Sequence, residues 1–369
     1  MRPVKGRARL CRLVSARECV TPWSMQIANI SQAQRDALLE ALAHIPDPSV
    51  DVERVHALLN RCPKAAETPL HDIPVLAQRS GAGAVHVKDE RGRMGLGSFK
   101  ALGAAYVVAR DAADGRAAGQ TYVTASAGNH GMSVAAGAAA FGARAVIYIA
   151  ETVPESFADR LRATGAEVRR EGAVYEDSMA GAEVAAKDNG WTLLSDSSWE
   201  GYTKPPHTLM EGYLVLMDEA VRQMPEPPSH IFLQAGVGGL AASAAAYARK
   251  AWGRVPRIIV VEPEAAPAIY ASMEAGAVVT TTGPSSAMGR LDCKEASLIA
   301  LKGLAHDADG FVTLTETEGA AGAQLADEAG LPSTPSGAAG LAALRAAGAE
   351  VGVTGSSRVL LILSEGPEG

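Results

Sequence analysis

Large rings are scarce in this chain: 4 Trp, 8 Tyr and 5 Phe among 369 residues. So few aromatics argue against an aromatic-lined groove and favour close packing of alanine- and glycine-rich helices on sheets. Basic residues are outnumbered, 34 Lys and Arg against 41 Asp and Glu, for a formal net charge of −7. That balance argues against a nucleic-acid surface. No apolar run approaches the roughly 20 residues that span a bilayer, so no membrane partner is expected. Cysteine is sparse too. Cys11, Cys19, Cys62 and Cys293 show neither metal-ligand spacing nor disulfide density, so no metal is expected, and a reducing, cytoplasmic setting is.

What is present describes a packed globular chain, 47% hydrophobic and 20% charged, of a length that suggests roughly two to three domains. Residues 1–24 stand apart, with Arg2, Lys5, Arg7, Arg9, Arg12 and Arg17 against one acid, Glu18. Such a stretch reads as a transit peptide or as the product of an upstream start codon, with Met25 the true start. A disordered leader with no part in the fold is expected.

Beyond it, helical patterns over 31–59, divided by Pro46 and Pro48, lead into alternating strands and helices. Strands are expected at Val85–Asp89, Thr121–Thr124, Ala145–Ala150, Glu167–Arg170, Ser229–Gln234 and Arg358–Leu363. Helical periods follow most of them, among them Phe99, Leu102, Tyr106 and Val107. Repeated alternation implies parallel sheets with helices on both faces. Ligands in such folds collect beyond the carboxyl ends of strands.

Four polar clusters sit at strand ends or helix starts: 97–100, 126–130, 235–239 and 364–366. The run Ser229–Gln234 opens into Gly236, Val237, Gly238 and Gly239 and then an alanine-rich helix. This is how backbone N–H groups and a positive helix end are offered to a phosphate. Glycine turns also serve plain strand-to-helix packing, so the motif alone leaves both readings open. Lys100 stands in the first turn of a helix, two residues after Ser98. The helix N-terminus disfavours its charged form, and a neutral amine is what Schiff-base chemistry needs. A lone lysine more often reaches into solvent; its neighbours change that.

Ser98–Lys100, Ser126–Gly131, Gly236–Gly239 and the closing Ser364–Gly366 resemble the signature set of the pyridoxal-phosphate enzymes of the tryptophan-synthase-β (type II) fold. Within that group the chain resembles the diaminopropionate ammonia-lyases, through Val87–Glu90, the stretch from Asn189 to Lys204, Met210–Tyr213 and Asp218–Ala220. The likeness spans roughly 60–366, and Trp199–Lys204 is its most family-specific piece. It implies an α/β type II fold of two open parallel-sheet domains with the cofactor, pyridoxal 5'-phosphate, between them. A small domain over 105–190 would be inserted into a larger one made of 25–104 and 191–369. Lys100 would hold the cofactor covalently and then act as base at Cα. Gly236, Val237, Gly238 and Gly239 would bind its phosphate through N–H groups. Asn129 would meet the ring's phenolic oxygen, though an ordinary N-cap is the plainer role. Ser364 would face the pyridine nitrogen and leave it largely unprotonated, a weaker electron sink suited to elimination. Ser126 would receive the substrate α-carboxylate, with Ala127 and His130 beside it. His130 could equally be a packing residue. Asp196 would serve the leaving group at Cβ, or cap an Asx-type turn ahead of Trp199.

Three departures matter. The ammonia-lyases carry aspartate where this chain has Ala127, and that carboxylate would be the base for a D substrate, so an L preference is expected. Arg290, Asp292 and Lys294 add charge to a segment that is mostly apolar in the family. Facing inward they suit a substrate with an extra charged group; otherwise they form a surface loop. Pro335–Ala338 looks more like the threonine and serine dehydratases. The expected activity is α,β-elimination from a β-substituted amino acid, with L-2,3-diaminopropionate giving pyruvate and ammonia, by a homodimer. The alternatives are a serine, threonine or 3-hydroxyaspartate dehydratase, or a non-catalytic cofactor-binding relative.

Overall fold

The structure, a computed structural model, describes residues 27, 28 and 30–367. The basic stretch 1–24, Met25, Cys11 and Cys19 lie outside the described residues. Among the described residues eleven strands form two sheets: β1 (Ile27–Ala28), β2 (Leu70–Asp72), β3 (Ala84–Asp89), β4 (Thr121–Ala125), β5 (Arg144–Ile149), β6 (Glu167–Arg170), β7 (Thr192–Leu193), β8 (His230–Gln234), β9 (Arg257–Pro263), β10 (Gly310–Leu314) and β11 (Arg358–Leu363). The larger sheet runs β1-β10-β9-β8-β11-β3-β2, and the smaller β6-β5-β4-β7.

All pairings in the smaller sheet are parallel. The larger sheet is mixed. Its inner strands β3, β8, β9, β10 and β11 are parallel, but the edge strands β1 and β2 pair antiparallel with β10 and β3. The parallel sheets expected are present, with these two short edges added to the larger one. At two and three residues they are too short to carry a hydrophobic period, and antiparallel edges on a parallel sheet are common.

Successive strand residues face opposite sides of a sheet, and the core divides accordingly. Ile231, Leu233, Ile258, Val260, Leu360 and Ile362 face one layer, with helices Ala101–Ala113, Lys204–Gln223, Gly239–Trp252 and Leu298–Asp307. Phe232, Ile259, Val261, Val359, Leu361 and Leu363 face the other, with helices Glu316–Glu328 and Ala339–Ala347. Val123, Ala125, Val146 and Tyr148 of the smaller sheet pack on Ala182 and Ala185. Both belong to helix Tyr175–Asn189. Small residues let helices meet closely: a Cβ on Gly212 would lie 2.3 Å from the Leu102 carbonyl oxygen.

Candidate active site

Lys100 is delivered by a tightly anchored loop. After β3 the chain makes a 3-10 turn, Glu90–Gly95, in which Met94 takes φ +52°, the one non-glycine at positive φ among the described residues. Beneath the turn lies a sealed charge cluster. Arg93 bonds Glu90 and Glu219, each at 2.7 Å, and Lys88 reaches Glu219 at 2.7 Å. All four are 2% exposed or less, and two cations balance two anions, the condition under which buried charge is tolerated. The loop then runs along the chain's closing segment: Phe99 N–H donates to the Ser364 carbonyl at 3.1 Å, and Gly366 N–H to that of Gly97 at 3.0 Å. The Ser98 hydroxyl accepts the Lys100 N–H at 3.2 Å.

The Lys100 ammonium donates to Asp196 Oδ2, with its side chain 22% exposed and that of Asp196 18%. Burial pulls the amine down, but Asp196, with smaller help from Tyr213 and Cys293, outweighs it and holds Lys100 above its ordinary value. Burial likewise pushes Asp196 up, and Lys100 overcomes that to hold it well below the carboxylate range. The expectation of a neutral amine is therefore corrected for the chain without ligand. The helix-end effect is overridden by a carboxylate in direct contact.

Asp196 is itself fixed from both sides. Trp199 and Tyr202 stack with centroids 4.2 Å apart across a hairpin bridge at Gly201, where φ is +82°. The Tyr202 hydroxyl donates to the Leu193 carbonyl and accepts the Ser195 N–H. Ser198 bonds Ser297 Oγ at 2.7 Å, and Ser297 N–H donates to the Val237 carbonyl at 3.0 Å. The Asp196 segment is thus tied directly to the glycine turn.

That turn, 235–238 at the end of β8, opens helix Gly239–Trp252 with Gly238 at φ +94°. A Cβ on Gly238 would lie 2.8 Å from Ile269 Cδ1, and one on Gly236 would lie 2.9 Å from the Arg290 carbonyl oxygen. No acceptor among the described residues takes the N–H groups of buried Gly238 and Gly239. The Tyr213 ring is buried beside Lys100, its centroid 5.9 Å from the ammonium and its edge 3.7 Å from a Cβ on Gly239. Buried donors left open cost stability, and here they face an amine and a helix N-terminus. An aldehyde bearing a phosphate fits this donor set: the N–H groups suit the anion and Lys100 the carbonyl.

The loop 126–128 follows β4 and leads into helix Asn129–Ala140. Ser126 Oγ accepts the Gly128 N–H at 3.3 Å, and Ala127 lies partly open. His130 is buried near the Lys100–Asp196 pair, and burial lowers its pKa. Its Nε2 meets the Leu194 carbonyl at 2.8 Å. A carbonyl only accepts, so Nε2 carries the proton and Nδ1, which has no partner, is a bare acceptor. Asn129 Nδ2 donates to Glu365 Oε2 at 2.5 Å. Ser364, just beyond β11, is buried next to it.

The charged segment 290–294 divides. Asp292 and Lys294 pair at 2.6 Å, and Lys294 also holds the Ala265 and Pro284 carbonyls, so these two brace their own loop. Arg290 turns to the site. Its Nη1 would lie 3.1 Å from a Cβ on Gly128, its Nε lies 3.7 Å from Glu365 Oε2, and its guanidinium stacks 5.8 Å from the Phe157 ring centroid. Sequence reasoning missed Glu365, Tyr213 and Cys293. Cys293 lies at the glycine turn, where burial, with Asp196, pushes its thiol up to about 12. The residue after Ser364 was the one available signal for Glu365. Tyr213 closes the Met210–Tyr213 segment that carries the resemblance, but that segment gave it no role; Cys293 had no signal, because its neighbours are far away in sequence.

The model of the family "Pyridoxal-phosphate dependent enzyme" matches residues 63–365. The diaminopropionate ammonia-lyase of Salmonella typhimurium is 35% identical over 299 residues, 73% of this chain and 74% of its own. The human L-serine dehydratase/L-threonine deaminase is 30% identical over 245 residues, 65% of this chain and 70% of its own. Among solved structures, diaminopropionate ammonia-lyase from Escherichia coli with an aminoacrylate–PLP azomethine superposes with a TM-score of 0.79 at 29% identity, covering 93% of this chain and 94% of that one. With a glycine turn, an amine and a carboxylate brought together at strand ends and helix starts, and a family match over most of its length, the chain belongs to the pyridoxal-phosphate dependent enzymes.

Proposed function

We propose that the chain catalyses α,β-elimination from a β-substituted L-amino acid, converting L-2,3-diaminopropionate and water to pyruvate and two ammonia. The observation that carries this reading is the contact of Lys100 with Asp196 beside an open-donor glycine turn, in a chain similar over three-quarters of its length to ammonia-lyases. Pyridoxal phosphate, when bound, supplies an electron sink that makes the Cα–H of an attached amino acid acidic.

The protein does the rest. N–H groups of 236–239 bind the phosphate, Asn129 meets the phenolic oxygen, Ser364 faces the ring nitrogen, and Ser126 receives the α-carboxylate at a helix N-terminus. Ala127 and His130 line the substrate side. The neutral Lys100 Nζ takes the Cα proton and becomes an ammonium hydrogen-bonded to Asp196. Passing that proton to the buried Asp196 carboxylate restores the neutral amine, and Asp196 hands it on to the nitrogen leaving Cβ. The two lobes, 105–190 and the rest, would enclose the reaction and exclude water. A cytoplasmic homodimer is the assembly this reading carries.

One observation favours a second reading. Arg290 sets a cation against Gly128, on the loop given the substrate carboxylate, which suits a 3-hydroxy acid with a second carboxylate and loss of water. A panel of L- and D-β-substituted amino acids, assayed for oxo acid and ammonia, decides. Two ammonia per pyruvate from L-2,3-diaminopropionate supports the proposal. One ammonia per oxo acid, from serine, threonine or 3-hydroxyaspartate alone, supports the dehydratase. Cofactor binding without turnover of any member overturns both.

A further inference from the structure

Glu365 has no part in the reading above, yet it joins four segments at the site. It is 5% exposed. Oε2 accepts from Asn129 Nδ2 and Oε1 from Thr334 Oγ1, each at 2.5 Å. Thr334 Oγ1 in turn accepts the Gly337 N–H at 2.9 Å, so its own proton is directed at Glu365. The Glu365 carbonyl accepts from Ser333 Oγ at 2.6 Å, and its backbone bridges to Ser98. A Cβ on Gly337 would lie 2.9 Å from Glu365 Cγ; glycine there makes the room. Backbone and carboxylate are therefore both held before any ligand arrives.

A carboxylate oxygen that accepts from an amide cannot face an amide oxygen as well. The two ends of the Asn129 carboxamide are alike in shape but opposite in hydrogen-bonding sense. Against Glu365 it must present Nδ2; turned over, it would set Oδ1 against a carboxylate oxygen at the same 2.5 Å. Charge-assisted bonds of this kind are roughly twice as strong as neutral ones. Asn129 is also the first residue of helix Asn129–Ala140, so its backbone is fixed too.

We propose that Glu365 is a positioning residue: it locks the Asn129 carboxamide so that the remaining Nδ2 N–H is the group offered to the cofactor's phenolic oxygen. This rests on the reading that Asn129 meets the cofactor. The test titrates pyridoxal phosphate into the wild type, Asn129→Ala, Glu365→Ala, Glu365→Gln and the double Asn129→Ala/Glu365→Ala chain. It follows the affinity and the pH profile of the bound cofactor's absorption band.

Each single alanine variant weakens cofactor binding roughly tenfold, the loss expected for one hydrogen bond to a charged group, and shifts the band alike. The double variant falls no more than about twofold below Asn129→Ala, because the two side chains act as one unit. Glu365→Gln keeps the shape but satisfies either orientation of Asn129, so it lies between wild type and Glu365→Ala. Wild-type affinity and band in Glu365→Ala, beside a weakened Asn129→Ala, overturn the proposal and leave the cofactor reading standing. So do penalties that multiply to about a hundredfold in the double variant. An unaffected Asn129→Ala chain sinks the reading beneath it as well. If far-UV circular dichroism shows that Glu365→Ala does not fold, Glu365→Gln decides: a wild-type affinity and pH profile overturn the lock.

Discussion

Between Ser126 and Gly128, where the resemblance to the ammonia-lyases places an aspartate, stands the methyl group of Ala127. The amine-and-carboxylate pair Lys100 and Asp196 lies toward the glycine turn. A base on one side serves one configuration at Cα. The chain should therefore turn over L-2,3-diaminopropionate well and the D isomer at least about a hundredfold more slowly, the usual worth of a positioned base. Ala127→Asp should raise the D rate selectively, and equal rates for both isomers in the wild type would contradict this. Single residues were also where sequence reading reached its limit. Lys100 stood out because Ser98, Phe99 and a helix start frame it. Glu365 meets Asn129 from 236 positions away, and the pairing of Lys100 with Asp196, which reverses the expected charge of the amine, spans 96. No local pattern encodes such contacts.

Elements were more legible, since strand alternation and helical period are written in neighbouring residues. The charge cluster under the 90–95 turn was not, because Glu219 arrives on a distant helix, Lys204–Gln223. Glu219→Gln leaves Lys88 and Arg93 buried with Glu90 alone. That should cost about 3–5 kcal/mol, read as a lower urea midpoint; an unchanged midpoint would show that the cluster relaxes at no cost.

Helix Ala268–Ala275 is capped in a different way. Glu262 accepts the N–H groups of Ile269 and Tyr270 at 2.8 and 2.7 Å, while burial pushes its carboxyl up to about 8. Unfolded glutamate titrates near about 4.3. Between those values the folded chain holds a proton that the unfolded chain has lost. Stability should thus fall as pH rises from about 4.3 to about 8, then level off. In melts taken across that range, Glu262→Gln should remove this slope; profiles parallel to wild type would contradict it.

At the scale of the molecule, strand ends and helix starts of the two sheets meet around Lys100, Asp196 and Glu365. That arrangement was readable from βα alternation and from four glycine- and serine-rich clusters. The antiparallel edges β1 and β2 were not, because two or three residues carry no period. A chain that binds its cofactor only when folded must gain stability from it, so melting should move upward with added pyridoxal phosphate. The covalent link decides where that gain comes from. Borohydride reduction of the cofactor-loaded protein, followed by peptide mass spectrometry, tests the account most directly. It predicts one pyridoxyl adduct on Lys100, and none in Lys100→Ala; an adduct on Lys88, Lys204 or Lys294 instead, or no adduct in the wild type, would contradict it.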